Sequence, residues 1–222
     1  RLTDRSWDEP FTLYPLIAKS WDVTPDRSWI TFHIDPRARF HDHTPITADD
    51  VKFTFETLRD QGRPNMRRVY KLVADARIID TQTIKFTLGP GYDRETVMII
   101  AMMPVLSRAS FKDRPFDSSP FEPILGSGPY RVSYADPGRR VVFDRVPDYW
   151  AADLPTRRGQ YNFDQMVYEF YRDDMVAFES FKSGNLNFRR ETNVNMWKNA
   201  YDFPRLRTGA ITAQTSPHNR AE

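Results

Sequence analysis

The stretch "RFHDHTPITADDVKFTFETL", residues 39–58, decides how the rest of this sequence is interpreted. It contains two histidines, His41 and His43, on either side of Asp42, and all three side chains are potential metal ligands. If a strand continues to His41, the two imidazoles project to the same side of the backbone. One alternative is therefore a zinc site that would make the protein a metal-assisted hydrolase.

A turn followed by a helix accounts for more residues of the same stretch. Residues 42–45 have the composition of a turn, and Thr47 is followed three residues later by Asp50, which is the spacing of a capping box. The apolar residues then recur at i, i+4 and i+7, which predicts one buried helix face formed by Val51, Phe55 and Leu58. We therefore predict a turn and a helix N-terminus.

The supply of metal ligands also argues against zinc. A catalytic zinc site takes three protein ligands, and the chain has no cysteine and only two further histidines, His33 and His218. We predict no metal and no cofactor. The absence of cysteine also excludes disulfides and thiol catalysis.

Composition and charge narrow the classes of function further. The 222 residues are 40% hydrophobic and 28% charged, as in an ordinary globular protein. The net charge of only +2 gives no strong electrostatic field, which disfavours the alternative of a nucleic-acid-binding module. No run of about 18 apolar residues is present, so we predict no membrane-spanning helix.

Hydrophobic alternation predicts many strands and few helices. We expect a strand at 28–34, hairpins at 76–88 and 130–145, a further strand at 165–171 and a helix at 173–185. The second hairpin turns at Asp136-Pro137-Gly138, and the helix has Asp173 as its N-cap and Gly184 as its stop. This mixture is an α+β pattern without strict βαβ alternation.

Residues 17–58, "IAKSWDVTPDRSWITFHIDPRARFHDHTPITADDVKFTFETL", resemble a signature of the family 5 extracytoplasmic solute-binding proteins. These are the oligopeptide-, dipeptide- and nickel-binding receptors of ABC importers. The matching elements are Ser20-Trp21, Pro25-Asp26, 29–34, 40–45 and 47–51. One residue departs from the pattern, since His43 stands where the family usually has glycine. If the turn requires a positive φ, His43 is strained.

A second block, residues 126–204, resembles the microcin C-associated and oligopeptide-associated binding proteins of that family. The matching elements are 126–130 (Gly-Ser-Gly-Pro-Tyr), 147–150 (Pro-Asp-Tyr-Trp), 158–164, 171–173 and 201–204. The resemblance implies a type II periplasmic-binding-protein-like fold of the α+β class, of which this chain is a fragment. Residues 1–125 would form the appended domain of the first lobe, and 126–222 part of the first ligand-binding lobe. The proline-rich segment 114–129 separates them, and the second lobe is missing.

The same resemblance implies a function. Such a receptor captures oligopeptides or peptide-like compounds in the periplasm and delivers them to the permease subunits of an ABC transporter, its only link to the membrane. It is not an enzyme and needs no cofactor. Nickel, sugar or opine transport remains an alternative within the wider family.

The segment "RRETNVNMW", residues 189–197, is the best candidate for ligand contacts. It follows a predicted strand at 185–188, and the corresponding segment of the family runs along the lobe interface. We predict a peptide-binding site formed by Arg190, Glu191, Asn193, Asn195 and Trp197. The family pattern also places Tyr70 and Met103 near the cleft. The alternatives are an ordinary polar loop with a core tryptophan, and a surface ion pair between Arg190 and Glu191.

Overall fold

The computed structural model describes residues 1–6, 9–117 and 123–215, and these form two compact units. The first unit comprises Arg1–Tyr168 and the second Glu169–Glu222. His218 and residues 118–122 of the proline-rich segment lie outside the described ranges. The predicted domain boundary at 125/126 does not coincide with the division between these units, and it stays a prediction about the domains of the family.

The first unit begins with two short strands and a four-stranded antiparallel sheet. The strands are β1 (Thr3–Arg5), β2 (Leu13–Pro15), β3 (Ala18–Val23), β4 (Trp29–Ile34), β5 (Val73–Asp80) and β6 (Thr83–Leu88). The order in the larger sheet is β3-β4-β6-β5. The helices of this unit are α1 (Ala48–Gln61), α2 (Pro64–Tyr70) and α3 (Thr96–Ala101), followed by a 3₁₀ turn at Ala109–Phe111.

The core of the first unit lies between the sheet and α1. In β4 and β6, every second side chain is buried, and Ile30 pairs with Phe86 while Phe32 pairs with Ile84. The predicted helix face formed by Val51, Phe55 and Leu58 is buried against them. The rings of Phe55 and Phe86 meet edge to face at 5.3 Å. The predicted strand at 28–34, the hairpin at 76–88 and the buried helix face are confirmed.

The start of α1 is fixed chiefly by Asp50. One oxygen of its buried carboxylate accepts hydrogen bonds from the Thr47 backbone N–H and the Thr47 hydroxyl, both at 3.0 Å. The other oxygen accepts the backbone N–H of Arg108 at 2.9 Å. The predicted capping box is present, and Asp50 also ties the helix to a distant loop.

The second predicted hairpin is also confirmed, in a smaller three-stranded sheet whose strands pair in chain order. Its strands are β7 (Tyr130–Asp136), β8 (Arg140–Arg145) and β9 (Gln165–Glu169), so the last strand is two residues shorter than predicted. The turn between β7 and β8 closes through a 3.0 Å bond from the Arg139 N–H to the Asp136 carbonyl. Gly138 has φ +78° there, a conformation that glycine adopts without steric cost.

The second unit is built around three helices, α4 (Asp174–Ser183), α5 (Val194–Ala200) and α6 (Pro204–Arg207). The carboxylate of Asp173 caps α4 as predicted, and Gly184 ends it with φ +92°. The core of this unit consists of Phe178, Phe181 and Phe203. The predicted strand at 185–188 is wrong, because these residues have no regular secondary structure. None of the helices in the described ranges is long and apolar enough to cross a membrane.

Candidate functional site

The turn at 39–45 and the segment at 126–129 fit together through a row of hydrogen bonds. The carbonyls of Gly126, Ser127, Gly128 and Pro129 each accept one bond. The donors, in that order, are the backbone N–H of His41 (2.9 Å), the indole N–H of Trp150 (3.2 Å), Nε2 of His41 (2.9 Å) and the backbone N–H of Val146 (2.8 Å). Residues that lie about 85 positions apart in the sequence are therefore joined by direct hydrogen bonds.

The bond to the Gly128 carbonyl shows that Nε2 of the His41 ring carries a hydrogen. A carbonyl oxygen only accepts, so Nε2 of His41 must carry a hydrogen and is not available as a metal ligand. Within residues 1–6, 9–117 and 123–215, no cluster of three histidine or acidic side chains is arranged to hold a metal. The hydrolase alternative therefore receives no support from this stretch.

His43 has φ +66°, in the left-handed region that non-glycine residues rarely adopt. The turn therefore has the positive φ on which the predicted strain of His43 depends. Its Nδ1 lies 3.5 Å from a carboxylate oxygen of Asp148, and both side chains are mostly exposed. Such a pair contributes at most about 1 kcal/mol to stability.

A shallow pocket lies beside these residues. The residues that line it include Arg39, His41, His43, Asp148, Tyr149 and Trp150. It encloses roughly 230 Å³ of space that is partly open solvent. Because that space includes open solvent, the enclosed cavity is much smaller than the roughly 300–1,000 Å³ of ligand clefts, and this pocket is too small for a peptide.

The predicted ligand segment lies in the second unit, and an ion-pair network anchors it. Arg189 reaches Asp174 at 2.8 Å and Glu191 at 3.1 Å, and its guanidinium lies over the ring of Phe178. Glu191 also accepts the backbone N–H of Asn193 at 2.8 Å and the hydroxyl of Tyr201 at 3.3 Å. Arg189, the residue at the centre of this network, was not among the predicted site residues.

Burial and hydrogen bonding change the pKa of the Glu191 carboxyl in opposite directions. Burial raises the pKa of its carboxyl, but the bonds from the Asn193 amide and from Arg189 outweigh burial and lower the pKa overall. Its side chain is only 4% exposed. The alternative of a surface ion pair between Arg190 and Glu191 is wrong, because the side chain of Glu191 is buried and its partner is Arg189.

Of the other predicted residues of the segment, two make structural contacts and two are exposed to solvent. The side chain of Asn193 caps α5 by accepting the N–H groups of Asn195 and Met196. Trp197 is half-buried, with its ring 4.9 Å from that of Tyr201. Arg190 and Asn195 are exposed. The Asn195 side-chain oxygen accepts a hydrogen bond from the Asn199 side-chain amide at 2.6 Å. Asn193 and Trp197 thus have structural contacts, and the predicted role of these residues in ligand binding stays a prediction.

Tyr70 and Met103 occupy a different environment. Both are buried in the hydrophobic core of the first unit, and Tyr70 packs edge to face on Phe55. Burial raises the pKa of Tyr70 to about 12. Neither side chain is accessible to a ligand in this structure, so their predicted role stays a prediction without structural support.

Comparisons of this sequence with known proteins agree on one family. Residues 12–221 match the model of the bacterial extracellular solute-binding proteins, family 5. YejA of Escherichia coli K12 is 43% identical over 195 residues, which are 87% of this chain and 32% of YejA. The peptidoglycan-binding protein YepA of Agrobacterium fabrum is 35% identical, over 93% of this chain and 35% of YepA. The chain thus spans about a third of the length of the curated relatives it matches.

A solved structure supports the same fold. The periplasmic binding protein AgaA of A. tumefaciens R10, in complex with agropinic acid, superposes with a TM-score of 0.69 at 26% identity. The match covers 83% of this chain and 36% of AgaA. The fold is therefore that of part of a type II periplasmic binding protein, as the sequence predicted.

Proposed function

This chain belongs to family 5 of the bacterial extracellular solute-binding proteins, and we propose that its protein captures peptides or peptide-like compounds for an ABC importer. Members of this family are binding proteins without catalytic activity. In such a receptor the ligand shifts the population toward the closed state, because it binds that state more tightly.

The ligand site is proposed from the directions in which the side chains of residues 188–197 point. Arg189 and Glu191 are turned into the second unit, whereas Arg190 and Asn195 are turned to solvent. A guanidinium and an amide side chain can together satisfy the carboxylate and the main-chain groups of a peptide. We assign Arg190 and Asn195 to direct ligand contacts, and Glu191, Asn193 and Trp197 to holding them in place.

The choice of peptides as the ligand class is supported by relatives and by the sequence. YepA is named for binding peptidoglycan, a polymer that carries peptides. The second sequence block resembles the microcin C-associated proteins, which extends the proposal to peptide-like compounds. AgaA binds agropinic acid, so an opine is the principal competing ligand class.

The proposed location and partners follow from the family. The matching family is extracellular, and we propose that the protein acts in the periplasm and delivers its ligand to ABC permease subunits. No nucleic acid and no cofactor takes part in this proposal.

Calorimetric titration of the full-length protein with a series of di- to pentapeptides, and separately with agropinic acid, tests the ligand class. We expect saturable binding of peptides. Binding of agropinic acid with no response to any peptide would contradict the proposal.

Substitution tests the site. We expect Arg190→Ala and Asn195→Ala to weaken peptide binding while the melting temperature stays unchanged. Trp197→Ala should lower both, because its ring packs on Tyr201. If none of the three changes the affinity per folded molecule, the site lies elsewhere.

A further inference from the structure

We draw no further inference here: the strongest candidate, the shallow pocket lined by Arg39, His43 and Asp148 beside the turn at 39–45, is open to solvent in a chain that spans about a third of its relatives' length, and nothing in the structure shows what covers it.

Discussion

Gly126 and His41 are in such close contact that a Cβ atom at position 126 would force a shift of the His41 ring or of the backbone. A Cβ atom on Gly126 would lie 2.9 Å from Cε1 of the His41 ring. The ring cannot move away without losing its 2.9 Å bond to the Gly128 carbonyl. The glycine of the family motif is therefore explained by a neighbour 85 positions earlier in the sequence.

We expect Gly126→Ala to destabilise the first unit by about 1–3 kcal/mol, as overpacking does elsewhere. Gly128→Ala is the matched control, because its Cβ would meet only the Tyr130 carbonyl at 3.9 Å. Urea unfolding of both variants measures the difference. Equal stabilities would show that His41 can rearrange freely.

His43→Gly should leave stability unchanged or raise it by up to about 1 kcal/mol. Glycine relieves the positive φ of 66°, although it also adds freedom to the unfolded chain and removes the pair with Asp148. His43→Ala removes the same pair but keeps a Cβ, so it should be less stable than the glycine variant. Thermal unfolding that ranks alanine level with glycine would contradict the strain.

Asp50→Ala should cost more than Thr47→Ala. Replacing Thr47 removes a cap hydroxyl, at a cost of about 1 kcal/mol. Replacing Asp50 leaves the N–H groups of Thr47 and Arg108 without their acceptor, which costs about 2 kcal/mol or more. Chemical denaturation of the two variants gives the order, and the reverse order would show that the helix start depends on Thr47.

Arg189→Ala and Arg190→Ala should differ sharply although the residues are adjacent. The first substitution strands the buried carboxylate of Glu191 and should destabilise the second unit by about 3 kcal/mol. The second removes an exposed side chain and should stay within about 0.5 kcal/mol. Hydrogen exchange of α4 and α5 reports on this unit directly, and similar exchange rates in the two variants would refute the buried network.

Zinc titration of the protein should show no tight site at residues 41–43. Nε2 of His41 donates to Gly128, and His43 faces only the exposed carboxylate of Asp148. A stoichiometric submicromolar site that disappears in His41→Ala would contradict this expectation.

Elements with strong local signals could be predicted from the sequence, and contacts between distant residues could not. Signals that lie within a few residues of each other predicted the alternating burial of β4 and β6 and the capping box of α1. The same is true of the ends of α4 at Asp173 and Gly184. Helix α5 was missed because polar residues of low helix propensity dominate its start, and its cap, Asn193, was interpreted as a ligand contact.

The ligand segment shows the same limit. Sequence order made Arg190 the natural partner of Glu191, whereas burial selects Arg189, whose guanidinium also reaches Asp174 and Phe178. Which of two adjacent arginines points inward depends on the fold of α4 behind them. Local sequence carries no signal for that choice.

The row of bonds between His41 and residues 126–129 also has a consequence for the kinetics of folding. His41 and Gly128 are 87 positions apart, so their contact closes a long loop whose entropy must be lost before the bond forms. The hairpins and α1 need no such closure and can form first. Substitutions at His41 should therefore act mainly on the unfolding rate and leave the folding rate nearly unchanged, so that this contact governs how long the native state persists.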